Sequence, residues 1–182
     1  MVKKSYPVTE RKGRRNSIYT LNDNFFEFWY RFVFPNKELI DMERIDVVLE
    51  EKIKPQMSTY LGNTFEQICR EFLIRMNGLG KLPFVFERIG KWWGNNPIKK
   101  RQEEIDILAY SRDHALFAEC KWQNKKAGLE TLERLFERSS FFDFKYKYYA
   151  IFSKSGFTSE LEEMASHAKN IMLYSTEEIE KA

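Results

Sequence analysis

The stretch ALFAECKWQNKK, Ala115 to Lys126, sets a carboxylate and an amine into an apolar run: Glu119 interrupts it and Lys121 follows two places on. Side chains alternate between the two faces of a strand, so Glu119 and Lys121 share one face. Upstream, Asp106 interrupts EEIDILAYS in the same way. A turn at Arg112–Asp113 would join the two runs as a hairpin and set Asp106 opposite Glu119, with Cβ atoms ~4.5–5.5 Å apart. Two carboxylates that close disfavour each other's ionisation. A hard divalent cation removes the conflict. Mg²⁺ takes one or two carboxylates, keeps several waters and accepts phosphate oxygens in the remaining positions. An ammonium on the face of Glu119 can hold water beside the metal or steady charge on a phosphate in transfer. These residues therefore point to metal-dependent phosphodiester hydrolysis. The plainer account of Glu119-x-Lys121 is a surface ion pair on an edge strand. Glu66, in TFEQICREF, is a third candidate acid; its plainer account is a helical i, i+4 pair with Arg70.

The elements that must position these groups can be read from periodicity. YLGNTFEQICREFLIRMN carries Phe65, Ile68, Cys69, Phe72, Leu73 and Met76 as the apolar stripe of a helix, and Gly78 and Gly80 break it. Three strand candidates follow: FVFERIGKWW, EEIDILAYS and ALFAECKW. GLETLERLFERSS is a helix with Leu129, Leu132 and Leu135 periodic. YYAIFSKSGF is a strand, SELEEMASHAKN a helix and IMLY a short apolar piece. This is an α/β layer arrangement. Before it, YPVTERKGRRNSIYTL (Tyr6–Leu21) predicts a basic hairpin turning at Gly13. Asn22 or Asp23 can cap a helix whose stripe, Phe25, Phe28, Trp29 and Phe32, is expected in the core, with Pro35 as its stop. Lys37–Lys54 is expected to be helical, with Leu39, Ile40, Ile45, Val48 and Leu49 inward and Pro55 at its end.

Composition sets the remaining bounds. The chain has 182 residues, 43% hydrophobic and 16% aromatic, enough for a substantial core, and 31% charged. Its net charge is +3, with basic residues crowding the start and glutamates the end. No apolar run reaches the ~18–20 residues that span a bilayer, and no signal peptide is visible, so a cytoplasmic location without membrane contact is expected. Cys69 and Cys120 make neither a disulfide framework nor a zinc spacing and read as small buried residues. GKWWGNNPIKKRQ offers Lys91, Trp93, Lys99, Lys100 and Arg101 as a stacking and phosphate-holding loop. Arg14 and Arg15 add to it from the N-terminal hairpin. The alternative is a solvated basic loop with one buried tryptophan. Ser153 and Lys154, in FSKSGF, read better as a turn built on Gly156 than as phosphate contacts.

With the order helix–strand–strand–strand–helix–strand, Glu66 on the first helix, Asp106 on the second strand and Glu119-x-Lys121 on the third, the chain resembles the PD-(D/E)XK nuclease superfamily. More narrowly, YTLNDNFFEFWYRFVFPN, YLGNTFEQICREFL, GKWWG, EEIDILAY, AECKW and IFSKSGFT together resemble the C-terminal domain of archaeal-type AAA ATPases, over roughly Tyr19 to Phe157. The resemblance implies a restriction-endonuclease-like core: an αβββαβ central mixed sheet flanked by helices. It implies residues 1–21 as the wing of a winged helix, 22–57 as a helical linker region and 58–182 as the nuclease-like domain. It implies Asp106, Glu119 and Glu66 as ligands of Mg²⁺ or Mn²⁺, and Lys121 as a catalytic lysine beside these acids. It also implies DNA as substrate and an ATPase module in the same or another chain. Resolvase-like relatives act as dimers, so a homodimer is admitted. Ile105 stands where the superfamily's name has proline, and no GxxxxGK[ST] is present, so ATP binding is not expected of this stretch. The expected activity is a metal-dependent DNA endonuclease or DNA-processing domain. The alternatives are a non-catalytic DNA-binding or regulatory domain of an ATPase, and a protein–protein interaction domain.

Overall fold

A computed structural model describes residues 2–10, 16–21, 23–96 and 99–181. Five strands lie side by side in chain order: β3 (Arg88–Asn95), β4 (Gln102–Ser111), β5 (His114–Lys121), β6 (Tyr146–Ser153) and β7 (Ile171–Ser175). The first three are mutually antiparallel, whereas β5–β6 and β6–β7 run parallel. A parallel neighbour requires a crossover, and α5 (Leu129–Ser139) and α6 (Ser159–His167) supply the two. With α4 (Lys54–Gly78) ahead of β3, the order α–β–β–β–α–β expected from the sequence is the order observed. The chain closes with α7 (Thr176–Lys181), which sequence periodicity did not pick out.

The sheet is covered on both faces. On one side Phe65, Cys69, Phe72, Leu73 and Met76 of α4 pack on Ile107, Ala109, Leu116 and Ala118. On the other, Leu132 and Leu135 of α5 and Leu161 of α6 pack on Ile105, Leu108, Phe117 and Ile151. Burial on both faces explains why Ala115–Ala118 reads as continuous apolar sequence rather than as alternation. Among the described residues, no helix is long and apolar enough to cross a membrane.

Two local features aim the site. In the β4–β5 hairpin Ser111 pairs with His114, leaving Arg112 and Asp113 as the turn. The ladder ends with Ile107 paired to Ala118; one residue on, a bulge turns Asp106 to the α4 side while Glu119 faces α5, so the two carboxylates do not share a face as the sequence predicts. Between β3 and β4 the register slips: Gly90 pairs with Leu108 but Trp92 with Ile105, so Lys91 faces both Asp106 and Ile107. A bulge of this kind bends the strand and re-aims its side chains. It puts Ile105 and Leu108 on the α5 side while Ile107 and Ala109 face α4.

The region before α4 departs from the sequence reading. The N-terminal hairpin exists, but its strands are β1 (Val2–Ser5) and β2 (Ile18–Leu21); Tyr6 onward belongs to the connection, and Gly13 lies outside the described residues. Asp23 caps α1 (Asn24–Phe28), accepting from Phe25 N and Phe26 N at 2.9 and 3.1 Å. Asn22, the other candidate cap, lies outside the described residues. The helix then widens to π geometry over Trp29–Val33 and tightens to a 3-10 turn at Phe34–Asn36, so Pro35 changes the helix rather than ending the run. Of the expected aromatic core stripe, Phe32 is fully buried, but Phe25 is 66% and Trp29 40% exposed. These outer rings stack on each other along the surface instead. Lys37–Lys54 is not one helix. It forms α2 (Lys37–Asp41), a turn with Glu43 at positive φ, α3 (Ile45–Val47) and a π-helical stretch, Val48–Ile53, that runs into α4. Only Val48 is buried there, whereas Ile45 and Leu49 are exposed. Pro55 sits in the first turn of α4, where its missing N–H needs no partner, so it opens a helix rather than closing one.

Arg112 turns the hairpin with φ of 35°, in the left-handed region that side chains adopt reluctantly. Arg112→Gly is expected to stabilise the fold by about 0.5–1 kcal/mol, read as an increased urea midpoint at unchanged slope.

Candidate active site

The acids gather where β4 and β5 run out beneath α4. Glu66 projects from α4, and Glu104 and Asp106 from β4, two residues apart on one face. Their carboxylate oxygens lie within 4.8 Å of one another, close enough to share one ion. Asp106 Oδ2 also accepts the backbone N–H of Cys120 at 2.8 Å, which pins its rotamer to β5. Burial, together with the charges of Glu119 and Glu66, pushes the Asp106 carboxyl up to about 7. Burial raises Glu66 as well, against the lowering effect of Lys91. A pocket that holds back the ionisation of its own acids is short of positive charge, and three oxygen donors in it suit a hard divalent cation.

Part of that charge comes from Lys91. Its Nζ lies 2.8 Å from Glu66 Oε2 and 2.7 Å from Glu104 Oε1. Burial alone would lower this ammonium, but the two carboxylates outweigh burial and hold it firmly protonated. Glu66 thus pairs with Lys91 on β3, not with Arg70 one helical turn along.

Glu119 is engaged differently. It is buried, and its Oε1 accepts from Lys121 Nζ at 2.6 Å and its Oε2 from Arg138 at 2.9 Å. Arg138, on α5, also donates to buried Glu103 at 3.2 Å, and Arg101 binds the same Glu103 at 2.7 Å. Burial would raise Glu103, yet the two guanidiniums hold it below the usual carboxylate range. Two charged layers therefore meet at this end of the sheet: Glu66, Glu104, Asp106 and Lys91 under α4, and Glu103, Glu119, Lys121 and Arg138 under α5. The charge of Glu119 reaches Asp106 and Glu66 across the sheet, while its oxygens stay with Lys121 and Arg138.

Sequence reasoning missed three of these groups, Glu103, Glu104 and Arg138. Glu104 had a signal: it lies two residues before Asp106, the same spacing that marked Glu119 and Lys121 as face-mates. Arg138 continues the three-residue spacing Leu129, Leu132, Leu135, which places it on the inward side of α5.

The nucleic-acid candidates are scattered. Lys91 lies inside the acid group. Trp93 is half-buried, and its Nε1 donates to Asn16 Oδ1 at 3.0 Å; its neighbour Trp92 is in the core. Lys99 pairs with Glu137 and Arg101 with Glu103, while Lys100 is exposed. Arg14 and Arg15 lie outside the described residues. FSKSGF is the turn expected: Ser153 Oγ donates to Gly156 O at 2.8 Å, and Gly156 has φ of 75°. Cys69 is buried and Cys120 half-buried, with both thiols free.

Two predictions follow from these charges. Removing Arg138 leaves Glu103 and Glu119 buried with one cation each. Arg138→Ala should therefore destabilise the fold by about 2–3 kcal/mol, below the 3–5 typical of a wholly orphaned charge, as measured by urea unfolding. Asp106 acts with the opposite sign. Its carboxyl titrates at about 7 folded against 3.8 unfolded, so between those values the native state holds the extra proton. Stability then falls as pH rises through that window and levels off above it. In EDTA at pH 8, Asp106→Asn should be more stable than the parent by on the order of 2–4 kcal/mol, at about 1.4 kcal/mol per pH unit. The difference should shrink toward pH 4 in a pH series of thermal melts.

Comparison with known proteins places this geometry in context. An uncharacterized protein from Methanocaldococcus jannaschii, MJECL04, is 37% identical over 159 residues, covering 84% of this chain and 34% of that protein. The chain thus spans about a third of the relative's length. A crystal structure of a protein of unknown function, AF1548, overlays 59% of this chain and 58% of its own at 18% identity and a TM-score of 0.37. The DNA modification-dependent restriction endonuclease AspBHI overlays 67% of this chain and 33% of its own at 15% identity and a TM-score of 0.33. Both overlays are partial and loose. Residues 29–132 match the model of the DUF234 family, described as archaeal and bacterial proteins of unknown function, and the chain belongs to that family.

Proposed function

We propose that this chain is a metal-dependent phosphodiesterase domain acting on DNA. The observation that carries this reading is the meeting of Glu66, Glu104 and Asp106 within one ion's reach, beside the Glu119–Lys121 pair on the adjoining strand. Asp106 and Glu66 would hold Mg²⁺ or Mn²⁺, with Glu104 as a third donor. A cation held there supplies Lewis-acid stabilisation of the charge on a phosphate. Asp106, fixed by the Cys120 N–H, presents its carboxylate in one orientation. Lys91 keeps Glu66 and Glu104 converging by bridging them. Lys121 holds Glu119 on the α5 side of the same sheet end, from where the charge of Glu119 would act on the metal site across the sheet. Arg138 fixes the rotamer of Glu119 from the far side.

The ion pairing itself favours a second reading. Glu119 is already neutralised by Lys121 and Arg138, and Glu66 and Glu104 by Lys91. Such a site also suits a non-catalytic DNA-docking or regulatory domain that works beside an ATPase module. Titration calorimetry and cleavage assays separate the two. On the first reading Mn²⁺ or Mg²⁺ binds saturably, DNA is cut, and Asp106→Ala or Glu119→Ala lowers cutting at least about 100-fold, the scale of losing one electrostatic contact to the transition state. Cutting that persists undiminished in both variants would end the assignment. Absence of metal binding would favour the docking domain.

A further inference from the structure

The acids open onto a cavity whose far wall is the N-terminal hairpin. It has a volume of about 580 Å³, within the range of small-molecule pockets. Glu66, Glu104 and Asp106 lie on the α4 and β4 wall, and Lys3 and Tyr19 on the hairpin wall, with Arg70 and Trp93 also lining the space. The hairpin is held there from several points. Val8 N donates to Lys91 O at 3.0 Å, and Tyr110 Oη donates to Val8 O at 3.2 Å. Asn16 takes the Trp93 indole proton. A Cβ on Gly90 would come within 3.2 Å of Val8 Cβ, so the connection between β1 and β2 lies close against β3.

The lining has three chemistries. Acids sit at one end. Lys3 and Arg70 have no ion-pair partner among the described residues. The half-buried Trp93 shares the face of its strand partner Glu104 and its ring stacks on no other aromatic ring among the described residues, whereas Tyr19 pairs with Lys4 across the hairpin and carries that ammonium over its ring, on the face opposite Lys3. Unpaired cations beside an unstacked ring suit an anion that carries a flat ring, and a nucleotide is such an anion. In a duplex the base is paired and stacked, so its face cannot lie on Trp93 while its phosphate reaches the acids. From this we infer that the cavity takes an unpaired nucleotide, and that the chain engages single-stranded DNA in preference to intact duplex. The inference rests on the proposed phosphodiesterase reading for what the acids do, and on the cavity for what enters.

Binding and cutting test the two separately. Fluorescence anisotropy in EDTA, with a labelled oligothymidylate of about 12 nucleotides and a blunt duplex of equal length, reads occupancy without chemistry. The single strand should bind at least about tenfold tighter. Trp93→Ala and Arg70→Ala should each weaken it, the former by about 5- to 100-fold, the scale of one lost base stack. Circular dichroism melts confirm that both variants fold. Duplex binding equal to or tighter than single-strand binding overturns the inference, as does unchanged single-strand affinity in both variants. Repeating the series with Mn²⁺ reads cleavage. If the duplex is cut and the single strand is not, the inference falls while the hydrolytic reading stands. If the single strand binds as expected and nothing is cut, the cavity assignment stands and hydrolysis falls.

Discussion

Five carboxylates crowd one end of this sheet, and charge compensation is the constraint that the surrounding structure answers. Glu66, Glu104 and Asp106 gather under α4, and Glu103 and Glu119 lie buried toward α5. Like charges at this density in a partly dry setting are strongly unfavourable unless cations are built in. The fold brings them from both sides. Lys91 enters from β3 because the bulge opposite it lets one residue face two. Arg138 enters from α5 because it sits in register with the leucines that dock that helix. Each cation bridges two acids, so each also ties two elements together: Lys91 links α4 to β4, and Arg138 links β4 to β5.

The compensation is uneven, and the unevenness singles out Asp106. Glu66, Glu104, Glu103 and Glu119 each have a cation within ion-pairing distance. Asp106 instead accepts a backbone N–H, and burial, with the negative charge of Glu119 and Glu66, outweighs that contact and pushes its carboxyl up to about 7. An acid left this way costs stability in the metal-free protein. Structural ion pairs ordinarily lower a carboxyl, as the two arginines do for Glu103. On the proposed reading, the raised carboxyl of Asp106 marks the place where an incoming cation would supply the missing charge.

How much of this the sequence showed depended on whether local rules fixed the geometry. The β4–β5 hairpin was legible because a two-residue turn sets the register from Ser111–His114 to Ile107–Ala118, but the bulge beyond it turns Asp106 to α4 and leaves Glu119 facing α5, a placement the sequence did not signal. The central strands were legible because burial on both faces leaves an apolar run that only a charged residue interrupts. Glu104 was overlooked although its spacing marked it, and its convergence with Glu66 further depends on a β3–β4 bulge that no local pattern announces. Arg138 was overlooked because a basic residue near a helix end ordinarily reads as solvated. Before α4 the reading failed for a different reason. Pro55 is compatible with either end of a helix, and the aromatic spacing of Phe25 to Phe32 says which side chains share a face, not whether anything covers it.

The position of the hairpin connects these points. A charge-hungry site on an open sheet edge would be solvated, and water would relieve much of the repulsion that raises Asp106. Here β1 and β2 wall off the acids and leave a cavity between, so part of the solvent is replaced by Lys3, Tyr19 and protein backbone. The wall adds the positive charge of Lys3 while narrowing what can approach. On the proposed reading, the same segment would bear on two properties usually treated apart: how strongly the acids demand a cation, and what shape of phosphate ester can bring its oxygens to that cation. Because Val8 and Asn16 anchor the hairpin connection to β3, the strand that carries Lys91, a shift of the hairpin would also disturb the ammonium that bridges Glu66 and Glu104. Access to the acids and compensation of their charge are thus mechanically joined through one strand.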